Sequence, residues 1–269
     1  MTTANTPATL TQSAAAILAN ADCVEKCRLT RILAADWFAG RVTETGDTLP
    51  PDRPARPPCP QLLPPKEMPK RAYGGERGRI GLLHALAHIE LNAIDLAWDI
   101  VCRFPHEQMP KAFLDDWVQV ALDEAVHFEM LQELLTSLGA TYGDLPAHDG
   151  LWQAAEKTAD DLMARLAVVP MTLEARGLDT TPVTMERLIR NGDTVTPPAL
   201  DVIYHDEIRH VAAGYRWFVH MAAKRGLDGR AEYHRLIGER FPAGLKAPFN
   251  HIARAEAAFP QDWYEPLAR

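Results

Sequence analysis

The chain has 269 residues, 47% hydrophobic content and a formal net charge of −8, long enough for one large or two ordinary domains and too acidic for general nucleic-acid affinity. No uninterrupted apolar run approaches the roughly 20 residues that span a bilayer. No basic stretch followed by an apolar core opens the sequence, and four scattered cysteines are too few for a disulfide framework. A cytoplasmic protein with no membrane partner, folded as a single compact domain, is expected.

In chain order, residues 9 to 39 predict two short helices. Thr11 or Ser13 could cap the first and Asp22 the second, whose Val24, Leu29, Ile32, Leu33 and Trp37 recur at near-helical spacing. Nine prolines then fall between Pro50 and Pro69, excluding helix interiors and leaving an extended wrapping arm or a tether. Gly74, Gly75 and Gly78 follow, but no strand precedes them, so a phosphate-loop reading fails for lack of context.

A first core helix is expected from about Glu76 to Phe104, ended by Pro105. Its stripe of Leu83, Leu86, Ala87, Glu90, Ala93, Ile94, Ala97 and Val101 sets a carboxylate in the middle of an apolar face. Such a group costs several kcal/mol unless paired or metal-bound. His84 and His88 are four apart, yet His88 lies about 160° around the helix from Glu90 and so belongs to another face. A second helix should run from Pro110 to Leu138 and stop at Gly139, with Trp117, Val120, Glu124, His127 and Leu131 inward. Thr141 to Gly150 reads as a crossover loop.

The third helix begins near Leu151 and meets Pro170 one turn before Glu174, which predicts a kink or a break. Thr180-Thr181-Pro182 marks a new helix to about Arg190. The fourth runs from about Pro198 to Lys224, with Glu207 and His210 inward and Gly226 closing it. Two short helices complete the tail, broken at Phe241-Pro242 and Phe259-Pro260. The resulting domain reading is N-terminal helices and Pro-rich arm over 1–75, a four-helix bundle over 76–226 and a helical extension over 227–269.

Asp123-Glu124-Ala125-Val126-His127 and Asp206-Glu207-Ile208-Arg209-His210 each place a carboxylate and an imidazole three apart, on one helical face. One Glu-x-x-His arises by chance on the order of once in such a chain, so the motif alone carries little. The repeat carries more. Glu90 to Asp95 and Glu174 to Asp179 share the pattern Glu, four residues, Asp, and each precedes an Asp-Glu-x-x-His. Glu90 to Glu124 is 34 residues and Glu174 to Glu207 is 33, while Glu90 to Glu174 is 84 and His127 to His210 is 83. The chain reads as two copies of one helix-loop-helix unit.

Glu90, Glu124, His127, Glu174, Glu207 and His210 are the expected metal ligands, the set known from di-iron and di-manganese bundles. Oxygen and imidazole donors without thiolate suit iron or manganese better than structural zinc. Four carboxylates also neutralise two divalent cations. Asp123 and Asp206 are expected to hydrogen-bond the ligating imidazoles. Tyr204, one turn before Glu207, could stand near the metals, or be a core tyrosine.

The order Glu, Glu-x-x-His, Glu, Glu-x-x-His, with Asp before each motif, resembles the ferritin-like di-iron carboxylate superfamily. Thr172 to Asp179 and Tyr204 to Val211 are most similar to an uncharacterised bacterial ferritin-like family, the domain of unknown function 455. A more distant similarity, through Glu174-Ala175-Arg176, is to the di-iron tRNA hydroxylases. These resemblances imply an all-α ferritin-like four-helix bundle with added terminal helices and a Pro-rich arm. They also imply two iron ions, or manganese, or a mixed pair. The expected function is a non-haem di-metal oxidoreductase that activates dioxygen or peroxide to oxidise or hydroxylate an unidentified small molecule, drawing on an electron donor. The alternatives are metal handling or oxidative-stress protection without organic substrate, and a tRNA-modifying hydroxylase using Lys66, Lys70, Arg71, Arg77 and Arg79 as a basic strip. A homodimer is allowed.

Overall fold

The computed structural model describes residues 8–69 and 75–269. The described chain is all-α. Its extended pairings are the isolated bridges Leu62 with Ala147 and Leu245 with Ala268. It divides into two compact units, residues 1–149 and 150–269. The cut falls in the crossover between the two copies of the repeat.

In the first unit, α1 (Leu10–Leu18) and α2 (Cys23–Phe38) cover a long hairpin of α3 (Gly75–Arg103) and α4 (Lys111–Ser137). Thr9, not Thr11 or Ser13, caps α1, in a reciprocal box with Gln12. Thr11 is buried instead, and its hydroxyl accepts the amide of Thr48 at 3.1 Å. Asp22 caps α2 as expected. The buried side of α2 runs through Lys26, Cys27, Thr30, Leu33, Ala34 and Trp37. Val24 and Ile32, expected on that stripe, are exposed at 74% and 45%.

The Pro-rich segment runs extended and is tied down by backbone bonds. Ala55 donates to the Leu18 carbonyl at 2.8 Å, and Leu63 and Gln61 exchange bonds with Ala147 at 2.8 and 3.0 Å. Proline-rich backbone has few donors of its own, so these few bonds fix its course. Helix α3 ends before Pro105, and Pro105–Glu107 forms a 3-10 turn. Helix α4 ends at Gly139, whose φ of 70° needs no β-carbon. By length and composition α3 could cross a membrane, but most of its apolar stretch is buried inside the protein. It also carries the buried acids Glu90, Asp95 and Asp99.

The second unit opens with α5 (Gly150–Glu156) and α6 (Leu162–Val168), capped by Asp161. The long third helix expected from Leu151 is therefore broken before α6. After α6 the chain passes through a π-helical turn, Val169–Glu174, into α7 (Ala175–Arg190). Pro170 has no N–H for the carbonyl four residues back, and its ring crowds that carbonyl. The wider turn relieves this: the amide of Ala175 bonds the Pro170 carbonyl five residues back, and the Thr172 hydroxyl donates to the Ala167 carbonyl at 2.8 Å.

Pro182 does not start a helix as expected; it lies inside α7. The carbonyl it would have bonded belongs to Leu178. Helix α8 (Thr196–Lys224) is entered through Asp193, whose carboxylate takes the amides of Val195 and Thr196, and it closes at Gly226, φ 66°. Helices α9 (Gly229–Arg240), α10 (His251–Glu256) and α11 (Gln261–Tyr264) finish the unit, with breaks at Phe241-Pro242 and Phe259-Pro260.

Candidate metal centre

Glu90 occupies the middle of α3 and is 2% exposed; Glu124 and His127, one turn apart on α4, are fully buried. Packing α3 against α4 brings the three together. The His127 Nδ1 lies 3.2 Å from the Glu124 Oε2 and 3.4 Å from the Glu90 Oε2. One ligand atom from each falls within 4.8 Å of the others. Burial first, then the like charge of Glu124, pushes the Glu90 carboxyl up to about 8. Its Oε2 is buried, with the His127 ring nitrogen at 3.4 Å but no hydrogen bond of good geometry, and a poorly satisfied buried oxygen costs about 1–3 kcal/mol. Two carboxylates and an imidazole without a thiolate, one of them short of a donor, fit a hard or borderline divalent cation.

The second unit repeats half of this arrangement. Glu207 and His210 are buried on α8, with the His210 Nδ1 3.9 Å from the Glu207 Oε2. Glu174 is half-buried at the last position of the π turn. Among the described residues it does not close a three-ligand cluster with Glu207 and His210.

Asp123 accepts the Gln119 amide at 2.8 Å, and Asp206 pairs with Arg209 at 2.6 Å. Tyr204 turns its hydroxyl to the Asn250 side-chain amide at 3.0 Å, and burial raises its pKa. The histidine pair on α3 serves the loop after α4, as its different face requires. His84 Nε2 accepts the amides of Gly143 and Leu145 at 2.9 and 3.3 Å, while His88 meets the Tyr142 hydroxyl at 2.8 Å. Of the basic strip, Lys66, Arg77 and Arg79 are described, whereas Lys70 and Arg71 lie outside the described residues.

The repeat also holds a role that sequence reasoning missed. Asp95 and Asp179, each five residues after a glutamate, are both buried carboxylates held by cations, Lys26 and Arg56 on the one and Arg254 with the helix's own Arg176 on the other. Asp95 takes Lys26 at 2.5 Å and Arg56 at 3.3 Å. Asp179 takes Arg254 at 2.8 Å and Arg176 at 3.3 Å. The shared spacing was the signal; Lys26, Arg56 and Arg254, distant in sequence, gave none.

Residues 19–265 match the family described as "Protein of unknown function (DUF455)". The chain belongs to the DUF455 family. Over 252 residues it is 39% identical to an "Uncharacterized protein" of Haemophilus influenzae, covering 89% of this chain and 88% of that one. No solved structure matches. This DUF455 chain therefore carries buried Glu and His groups that could hold a metal ion.

Proposed function

We propose that this DUF455 protein is a ferritin-like, non-haem di-metal oxidoreductase. In this reading Glu90, Glu124 and His127 of the first unit, with Glu174, Glu207 and His210 of the second, hold two iron ions, two manganese ions or one of each. The observation that carries it is the first triad: three buried ligand side chains within 4.8 Å, one with a buried carboxylate oxygen that has the His127 ring nitrogen at 3.4 Å but no hydrogen bond of good geometry. The duplicated Glu and Glu-x-x-His pattern supports a matching contribution from the second unit.

Bound iron or manganese would supply one-electron chemistry with dioxygen or peroxide. The chain's own part is to exclude water and to fix its ligands in place. Leu91, Ala93, Ile94, Ala121 and Ala125 surround the first triad in sequence and are all buried. With so little water, the carboxylates need a cation to be charged at all.

Elemental analysis of protein purified from cells grown with iron and manganese tests this directly. Two metals per chain are expected, falling below one in Glu90→Ala and in Glu174→Ala. With iron and a reductant the parent should consume dioxygen, and both variants should lose that activity. Loading far beyond two metals per chain would instead favour metal handling. Binding of tRNA at low salt would bring the hydroxylase reading forward.

A further inference from the structure

A second site lies in the first unit, where the Pro-rich arm crosses α3 and the loop after α4. A cavity of about 310 Å³ there is lined by Arg56, Pro57, Pro58, Gln61, His88 and Tyr142, among others. That volume suits a small organic molecule.

Arg56 gives the cavity its chemistry. One guanidinium nitrogen, Nη2, bonds the Asn92 Oδ1 at 2.7 Å and reaches the Asp95 Oδ2 at 3.3 Å. The other, Nη1, is buried and has no acceptor. Asp95 is meanwhile held by Lys26 at 2.5 Å. Among the described residues, the ion pairs of this cluster set two cations, Lys26 and the 15% exposed Arg56, on the single buried carboxylate of Asp95. A cation that shares its carboxylate with a second cation is only partly neutralised, and a guanidinium N–H without an acceptor adds to the cost. A monoanion removes both at once, whereas a phosphate dianion would overcompensate. The proline rings offer apolar wall area to the remainder of such a molecule.

We propose that this cavity binds a small organic monocarboxylate, its carboxylate on Arg56 and its apolar body against Pro57 and Pro58. The site is independent of the metal reading, since none of the six proposed ligands lines it.

The probe is 4-fluorobenzoate, followed by ¹⁹F NMR with the full chain, both as purified and after metal removal by chelation. Saturable binding is expected in both preparations, with 4-fluorobenzamide and inorganic phosphate binding at least about tenfold more weakly. Arg56→Gln should fold, because Lys26 still neutralises Asp95, and should weaken binding on the order of tenfold. Arg56→Lys should recover part of it, and Gln61→Trp should block the cavity while leaving Arg56 in place. Equal binding of acid and amide, unchanged binding in Arg56→Gln and Gln61→Trp, or binding that vanishes on metal removal would each overturn the proposal. Loss of that kind would assign the probe to the metals.

Discussion

The side-chain amide of Asn250 donates to the carbonyl of Leu178 at 3.1 Å, the oxygen that Pro182, four residues further along α7, leaves without its helical donor. The same residue accepts the Ala253 amide as the cap of α10, and gives its own backbone amide to Asp179 at 2.9 Å. A proline that should have broken the helix is accommodated with help from a residue 72 positions beyond Leu178, which takes up the carbonyl the proline leaves. Asn250→Ala removes a cap and strands a carbonyl, so a loss of about 2–3 kcal/mol is expected in urea unfolding. In Pro182→Ala the helix regains its own donor, so the penalty of the second substitution should shrink in the double variant, a coupling that a thermodynamic cycle reads directly.

Glu90→Leu should change metal binding and stability in opposite directions. It deletes a proposed ligand, so metal content should fall. In metal-free protein it replaces a buried carboxyl with one poorly satisfied oxygen, and a gain on the order of 1–3 kcal/mol is expected by chemical denaturation. A variant that loses stability in the metal-free state would show that Glu90 is held by the protein itself rather than reserved for a cation.

Stability of the metal-free protein should depend on pH through the same residue. The Glu90 carboxyl sits near 8 in the folded chain against an ordinary 4.5, so between those values the folded state holds a proton that the unfolded state has released. Stability should fall as pH rises across that window, since the unfolded state binds fewer protons there. Metal competes for the same oxygens, so its uptake at pH 7 should release protons, measurable by calorimetry in buffers of different ionisation enthalpy.

His84 should act in the opposite sense. Its Nε2 accepts two backbone amides, which requires the neutral ring, and burial lowers its pKa below 6.5. As pH falls below 6.5 the unfolded chain takes up the proton first, and stability is lost. Amide exchange at Gly143 and Leu145 should quicken on acidification beyond the intrinsic rate change, and His84→Gln, which keeps an acceptor that does not titrate, should lose that response.

Gly214 on α8 faces the proline of the π turn: a β-carbon there would stand 2.6 Å from the Pro170 ring. Glycine to alanine within a helix ordinarily gains up to about 1 kcal/mol. Here overpacking should reverse the sign, with a loss of about 1–3 kcal/mol in thermal or urea unfolding.

The helical segments were legible because apolar spacing, Pro105, Pro110, Gly139 and Gly226 mark their ends by local chemistry. The first triad was legible for a related reason: a carboxylate amid an apolar stripe has few destinations, and Glu90 meets Glu124 and His127 across one hairpin. What escaped depends on residues far apart in sequence. Nothing near Pro182 announces Asn250, and nothing near Asp95 announces Lys26 and Arg56. The cap of α1 was placed at Thr11 or Ser13, two or four residues late, because Thr9, Thr11 and Ser13 are all competent hydroxyls; the reciprocal bond with Gln12 favours Thr9, and Thr11 is buried. The π turn was half legible: Pro170 signalled a disturbance, but a kink and a widened turn leave the same trace in one sequence.

The widened turn makes the winding of this segment, more than its length, decide where Glu174 faces. Between Val169 and Glu174 the backbone holds one residue more than a regular α-helical turn would need. Excising one residue from the turn ahead of Glu174 would let the hydrogen bonds close as regular α-helix and leave its heading nearly unchanged, whereas winding all the residues of this stretch as regular α-helix would swing Glu174 by roughly 100° about the axis. Exchanges that let the turn tighten without losing a residue, above all at Pro170, are the changes by which this stretch would redirect Glu174.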